Sequence, residues 1–535
     1  MMRALAGVGV IVFLSGVGSG QNITAAAPPT FEIADVHVSP KGKLPYMTGG
    51  VLRGTRYDIR NASMLDLVRT AYSVDDDSKI QGGPSWLETD RFDIIAQAPA
   101  TTTQESVKMM LQALLADRFK LVVRMESKPM PVFVLSMGKG KPKLKEAEGK
   151  GQPGCQGQPQ TPQPGVIQNA LVFCRGVSME SFATQIRGMA NAYLTNPVVD
   201  QTGLKGNWDF DITWTGKALL TAAGADGISI FDAVDKQLGL KLEASKVALP
   251  VIVVVSVNQK PSDNPPEVIT KLPPPPPGEF EVADIKPSKP DENMNGRLQP
   301  GGRLDLQAFP LKVLIQIAWD INNPDDMISG PKFLDTAKFD VIAKTSTTTN
   351  GPADAPQVDI DDVRLMLRAL LIDRFKMKVH TEDRPVNGYV LTAPAGKTKL
   401  QKADPSNRTG CHEGPGADGK DPRIATPILT RLLTCQNMSI AQLAEMLPLQ
   451  ANGYVHTPVL DSTGIEGAYD MTLSFSAIGA LNNGLPGQQG GNSDPSGGLS
   501  LPDAVYKQLG LKMELQKRPM PVLVIDHAEE KPTDN

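Results

Sequence analysis

Histidine is scarce in this chain, with five among 535 residues. His37, His380, His412, His456 and His527 are scattered, no two stand at a paired ligand spacing, and no HExxH occurs, so no metal site is expected. Also missing are a GxSxG nucleophile elbow and a GxxxxGK phosphate loop. The glycine-rich stretch "GLPGQQGGNSDPSGG" lacks the strand-to-helix setting in which glycine amides cradle a phosphate, so no cofactor is expected either. Charge of one sign is not in excess: 54 basic residues face 58 acidic ones, for a net −4 without long runs. That balance gives no support to a nucleic-acid groove or a polybasic membrane patch. Past the N-terminus no apolar run approaches the ~20 residues that a membrane-spanning helix needs.

What the N-terminus does contain is "MMRALAGVGVIVFLSGVGSGQN", with one Arg, an apolar run from Ala4 to Leu14 and small residues before Gln21. This is the layout of a secretory signal peptide, expected over residues 1–20. Its removal leaves a protein with no integral membrane segment, exported to a periplasm or to the outside of the cell. The four cysteines fit that setting. Cys155 and Cys174 lie in one half of the chain and Cys411 and Cys435 in the other, with no CxxC, so two local disulfides are expected.

Self-comparison is the most informative operation on this sequence. "FEIADVHVSP" at 31 answers to "FEVADIKPSK" at 280, and "GGPSWLETDRFDIIAQ" at 82 to "SGPKFLDTAKFDVIAK" at 329. "LLADRFK" at 114 returns as "LLIDRFK" at 370, "KQLGLKLE" at 236 as "KQLGLKME" at 507, and "KPSDN" at 260 as "KPTDN" at 531. The chain is therefore two tandem copies, 31–260 and 280–535. Length differences fall in segments such as "TTTNGPADAPQ" that have loop composition. Between the copies, 261–279 reads as a linker, and its five prolines, Pro273 to Pro277, favour an extended spacer of about 15 Å.

Within a copy the fold class is α+β. "RYDIRNA" and "RFDIIAQA" alternate as strands, and "SMLDLVRTAYSV" has helical periodicity. Val107, Met110, Leu111 and Leu114 line one helix face, as do Val363, Met366, Leu367 and Leu370 in the second copy. "KLVVRME" and "PVFVLSM" then read as two strands around a proline turn. After the cysteine loop come helix "SMESFATQIRGMA", strand "GNWDFDITW", helix "SIFDAVDKQLG" and strands "KLEAS" and "PVIVVVSV". Each copy is thus expected to be a pair of small βαβ-type half-modules with mixed sheets, at 31–140 and 170–260 and at 280–395 and 430–535.

Residues able to carry chemistry are few. The repeated heptad reads as scaffold, with Leu114, Leu115 and Phe119 buried and Asp117 and Arg118 at a helix exit. Asp75 to Asp77 and Asp359 to Asp362 are the densest acidic clusters, the first in a loop and the second where a helix N-terminus favours acids. His527 with Glu529 and Glu530 has no counterpart in copy one. Asp200 and Asp209, which match Asp461 and Asp470, are the acids kept in both copies and the ones a hydrolase would use. No catalytic residue stands out. Trp86 and Phe333, at equivalent positions after a Gly-Pro turn, together with Trp208, are candidate surface contacts as well as core residues.

These blocks, in this order, resemble a soil-associated family of uncharacterised exported proteins expanded in Acidobacteria, a domain of unknown function, here duplicated. The same module resembles an appendage of membrane metallopeptidases of the beta-lactam-sensor type, whose HExxH this chain lacks. The half-modules also look similar to the short N-terminal domain of secretins and TonB-dependent receptors, which binds other envelope proteins. The resemblance supplies no catalytic residue, and duplication without a polar constellation leads to the expectation of a non-enzymatic binding module with an envelope protein or polymer as partner, while the charge balance gives no support to nucleic acid. A hydrolase of an extracellular polymer and a small-molecule sensor are the alternatives.

Overall fold

In the computed structural model the described residues are 28–533, apart from 41–45, 150–152, 159–168, 276–277, 290, 300–301, 346–358, 395–397, 417–418, 427, 479–480 and 482–496. The expected signal peptide lies outside them. The fold is α+β, and the described residues form six four-stranded sheets, three in each copy.

Copy one begins with an antiparallel sheet in which Ile33–Val38, Arg91–Gln97, Arg56–Ser63 and Thr48–Arg53 lie side by side. Two helices, Met64–Tyr72 and Gln104–Arg118, cover it. The second sheet of this type joins Lys145–Glu146, Trp208–Thr215, Asn169–Val177 and Gly154–Gly157 and carries the helix Met179–Met189. The "QLGLK" motif closes a further helical stretch. Gly239 ends it at φ 69°, and a Cβ there would stand 2.7 Å from the Lys141 carbonyl oxygen, which explains the glycine on both counts. Copy two repeats all of this.

The central sheets differ from expectation. "KLVVRME" and "PVFVLSM" form one strand, Val122–Met137, without a turn, and "KLEAS" and "PVIVVVSV" form another, Leu240–Ser256. They pair antiparallel along nearly their whole length, from Leu240 opposite Met137 to Ser256 opposite Val122. Pro129, Pro131 and Pro250 sit inside them, as Pro385, Pro519 and Pro521 sit inside Lys378–Thr392 and Lys512–His527. Midway along, the sheet is only two strands wide, so every strand has an open edge where a residue without an N–H is tolerated. Toward the ends a third and fourth strand add on in parallel: Val198–Asp200 beside Val122–Met137 and Ile80–Gly82 beside Leu240–Ser256.

This pairing redraws the half-modules. Ile252 and Val254 belong to the core beneath the first sheet, whereas Phe133, Leu135, Leu240 and Leu242 belong to the core beneath the second. The chain crosses from the first module to the second on one long strand and returns on the other. The halves therefore interleave rather than follow one another as 31–140 and 170–260. In copy two Leu523 and Ile525 return in the same way, while Leu391, Leu511 and Met513 stay with the fourth core.

One device recurs in all four modules. Asn61, Gly176, Ala308 and Asn437 have φ of 53°, 60°, 57° and 49° at an irregularity in strand pairing. The backbone N–H of each donates to an aspartate on the neighbouring strand: Asp93 at 2.7 Å, Asp209 at 2.8 Å, Asp340 at 2.9 Å and Asp470 at 2.9 Å. Two residues later comes the cap of a helix, Ser63, Ser178, Pro310 or Ser439. Each aspartate follows an aromatic residue: Phe92, Trp208, Phe339 or Tyr469. At the three non-glycine positions a left-handed residue costs about 1 kcal/mol without compensation, and the carboxylate supplies that compensation.

The expected linker is partly docked. Asn258 N–H donates to Phe119 O at 2.7 Å and Ser262 N–H to Arg118 O at 2.8 Å, so "KPSDN" is a strap on copy one. Val268 is buried in a helical turn, Val268–Lys271, and Arg56 donates to the Pro273 carbonyl.

Candidate functional site

The residues singled out in the sequence do not converge. Cys155 and Cys174 form a disulfide across two neighbouring strands, with Cα atoms 4.0 Å apart, and Cys411 and Cys435 repeat it. Trp86 is half-buried on the first core, edge-on to Phe92 with ring centroids 6.3 Å apart. Phe333 packs likewise on the third core and Trp208 on the second. All three pack on a core while remaining partly exposed. Asp200 accepts from Thr202 N–H at 2.8 Å and Asp461 from Thr463 N–H at 2.9 Å, both as turn acceptors, and Asp209 and Asp470 hold the bulges described above.

The other candidates have local partners as well. Asp76 caps a 3-10 turn and pairs with Arg187, which ties the two modules of copy one. His37 lies 3.3 Å from Asp35 and 3.5 Å from Asp93. His380 lies 2.7 Å from Asp526 and 3.6 Å from Glu382, and its hydrogen bond to Asp526 raises its pKa above the ordinary value. Among the described residues no group of three or more His, Cys, Asp or Glu is arranged to hold a metal.

Side chains do converge where copy one meets copy two. The hairpin Thr48–Arg53 and Arg56–Ser63 presents Arg53, Arg56 and Arg60, and against it lies the N-terminus of the helix Ile360–Arg374. Asp359 caps that helix, accepting from Asp361 N–H at 3.0 Å. Arg53 and Arg60 both pair with Asp359, the second at 2.6 Å; Arg60 also reaches Asp361 at 3.2 Å and Arg53 reaches Asp362 at 2.8 Å. On the copy-one side Asp58 pairs with Arg56 at 2.9 Å and with Arg53 at 3.6 Å. Only 2% of the Asp359 side chain and 5% of the Asp58 side chain are exposed, a depth at which charges persist only when paired.

The electrostatics differ from acid to acid. Burial would raise Asp361, but hydrogen bonds and the Arg60 charge hold it below its ordinary value. Asp362 goes the other way: burial, against the pull of Arg53, pushes its carboxyl up to about 6. Between the copies remains a cavity of about 160 Å³, lined among others by Arg53, Asp58, Arg60, Pro275 and Asp362. A second contact joins the same two copies. Arg408 pairs with Glu88 and donates to Ile80 O at 2.6 Å, and Thr409 N–H donates to Ser85 O at 3.0 Å. Gly410 fits so closely that a Cβ would collide with the Glu88 carboxylate.

A family model described as a protein of unknown function (DUF3738) matches residues 65–257 and again 312–528. The chain belongs to that family. Its two DUF3738 regions fall one in each copy, which makes this a tandem member. The first region begins after the arginine hairpin and stops short of the "KPSDN" strap, whereas the second contains Asp359, Asp361 and Asp362. No curated protein and no solved structure matches the chain.

Sequence reading missed the junction because single residues were weighed for chemistry, and the acid nearest these arginines, Asp58, points to a local pair rather than to a partner about 300 positions away. The signal was available in the comparison of the copies. Arg53 and Arg60 become Gln299 and Gln307, while Thr103 and Ser106 become Asp359 and Asp362, so charge appears on complementary faces.

Proposed function

We propose that this DUF3738 protein is an exported, non-enzymatic interaction module of the cell envelope, whose partner is another protein that docks by strand addition. One observation carries the reading. The edge strand of copy one's first sheet, Thr48–Arg53, leads into the surface that meets copy two, and its counterpart in copy two, Asn295–Gln299, is a terminal, largely exposed strand. An exposed edge supplies a row of backbone groups for an incoming strand. The disulfides accord with an oxidising, exported setting.

The test is a cross-linked capture from envelope extracts with the intact chain beside an Arg297→Pro variant whose melting temperature is checked first. A protein retained by the intact chain and lost with the blocked edge supports the proposal. Equal retention by both moves the binding surface elsewhere, and no retained protein removes the reading. The polymer-hydrolase alternative loses its acids to structural duties, since Asp200, Asp209, Asp461 and Asp470 all accept backbone N–H groups. The sensor alternative keeps one supporting observation, the cavity at the junction, where Asp58 Oδ1 has no hydrogen-bond partner. A thermal-shift screen of small polar molecules addresses it, with Asp58→Asn as the control.

A further inference from the structure

The junction between the copies is directional. It joins the arginine hairpin of copy one to the acidic helix start of copy two, and among the described residues the reverse pairing does not occur. The counterpart residues follow from strand register and helix caps. Arg53 stands opposite Arg56 at the end of its hairpin, as Gln299 stands opposite Arg303. Arg60 precedes the left-handed Asn61, as Gln307 precedes the left-handed Ala308. Thr103 caps Gln104–Arg118, as Asp359 caps Ile360–Arg374.

At each free end most of the charge that the junction uses is missing: Arg53 and Arg60 have lost their arginine counterparts and Asp359 and Asp362 their acidic ones. The hairpin face of copy two carries Gln299 and Gln307, both exposed, where copy one has Arg53 and Arg60, and its two arginines, Arg297 and Arg303, are exposed and stand elsewhere on the hairpin. The helix start of copy one carries Thr103 and Ser106, with Glu105 committed to Lys108 at 3.2 Å. The second contact is equally one-way: Glu88 takes Arg408 from copy two, whereas its counterpart Asp335 pairs within its own copy, with Lys312 at 2.9 Å.

A head-to-tail contact between homologous units propagates into a filament unless its outer ends are made unable to pair. We infer that the two copies are held by a directional charge lock, Arg53 and Arg60 on Asp359, Asp361 and Asp362, and that glutamine in place of both arginines and Thr103 and Ser106 in place of Asp359 and Asp362 at the two outer faces stop association at one pair. The partner that the arginine face fits is the acidic helix start of a second module of this kind, and copy two supplies it within the same chain. This goes beyond the envelope-binding proposal, and it is tested on the purified chain alone, so the two can fail separately.

Two arms test it. In the first, Arg53→Glu, Arg60→Glu and Arg408→Glu are combined in the full chain and the radius of gyration is read by small-angle scattering, beside Gln299→Glu with Gln307→Glu on the free face. The lock predicts an expanded chain for the triple variant only. An unchanged radius in the triple variant overturns it, and so does equal expansion in both. The second arm uses exposed or half-exposed positions whose change does not threaten folding: Thr103→Asp, Ser106→Asp, Gln299→Arg and Gln307→Arg together. Sedimentation should then report concentration-dependent oligomers that salt disperses, and a variant that stays monomeric at every concentration overturns the claim that missing charge is what ends the assembly.

Discussion

Arg118 holds Ser262, which lies 144 positions away in the sequence, by hydrogen bonds from its guanidinium: Nε to Ser262 Oγ at 3.0 Å and Nε to the Ser262 carbonyl oxygen at 3.2 Å. The same side chain donates to Ala34 O at 3.2 Å and to the Asn264 side chain, and Asn264 Oδ1 in turn accepts from Val36 N–H at 2.9 Å. The repeated "DRF" and the repeated "KPSDN" are thus two halves of one fastening. They persist together in both copies because each is the partner of the other; in copy two Thr533 N–H donates to Arg374 O at 2.8 Å.

Replacing Arg118 by Met removes a buried charge-assisted network and leaves Ala34 O and Ser262 O without their donor. The expected cost is about 3 kcal/mol, with residues 258–264 becoming the first site of cleavage. Thermal unfolding and limited proteolysis with mass spectrometry check both, and unchanged protection of the strap refutes the assignment.

Asp93→Ala and Asp470→Ala should each destabilise by roughly 2 kcal/mol, since each strands a left-handed residue's N–H. Asp200→Asn, at a half-buried strand end where the amide oxygen can still accept from Thr202 N–H, should cost less than about 1 kcal/mol. Denaturant midpoints rank the three. If Asp200→Asn proved the costliest, the turn role given to it here would be untenable.

Reduction of the disulfides acts on the second module of each copy, where the bonds join residues separated by 19 and 24 positions. A loss on the order of 3 kcal/mol in each of these modules is expected through the unfolded chain. Hydrogen exchange with and without reductant should loosen the helices Met179–Met189 and Ile440–Gln450 and leave Gln104–Arg118 and Ile360–Arg374 protected.

Asp362 gives the junction a pH dependence of defined sign. Its carboxyl is raised in the folded chain from 3.8 to about 6, so the folded state holds its proton more tightly. The stability it contributes is fully present below pH ~4 and is lost as pH rises toward 6, a change on the order of 2 kcal/mol. Asp361 and Asp76, both held low, act in the opposite direction, so the difference between the parent chain and Asp362→Asn isolates the effect. The stability gap between variant and parent should widen in the variant's favour between pH 4 and 6. A constant gap contradicts the assigned sign.

Local pattern made much of this molecule legible. Alternation marked Arg56–Ser63 and Arg91–Gln97, helical spacing marked Gln104–Arg118, and repetition marked the two copies. Proline misled at the centre, because "KPMP" and "ALPV" read as turns. A residue without an N–H breaks a strand only where that N–H is needed, and in a ribbon two strands wide it can face the open edge. The candidate site was hidden for a related reason. Arg53 and Asp359 are 306 positions apart, and nothing near either one announces the other.

The sequence by itself determined the α+β class, the duplication, the pairing of cysteines within each copy and the scaffold character of the heptad, all of which depend on periodicity or on spacing along the chain. The tertiary structure alone decided that the half-modules interleave through their long strands, that the conserved-looking acids serve bulges and turns, and that the copies meet through arginines and aspartates. These depend on which surfaces face each other after the chain has crossed between cores and returned. Side-chain charge and backbone edges acquire partners only at that stage.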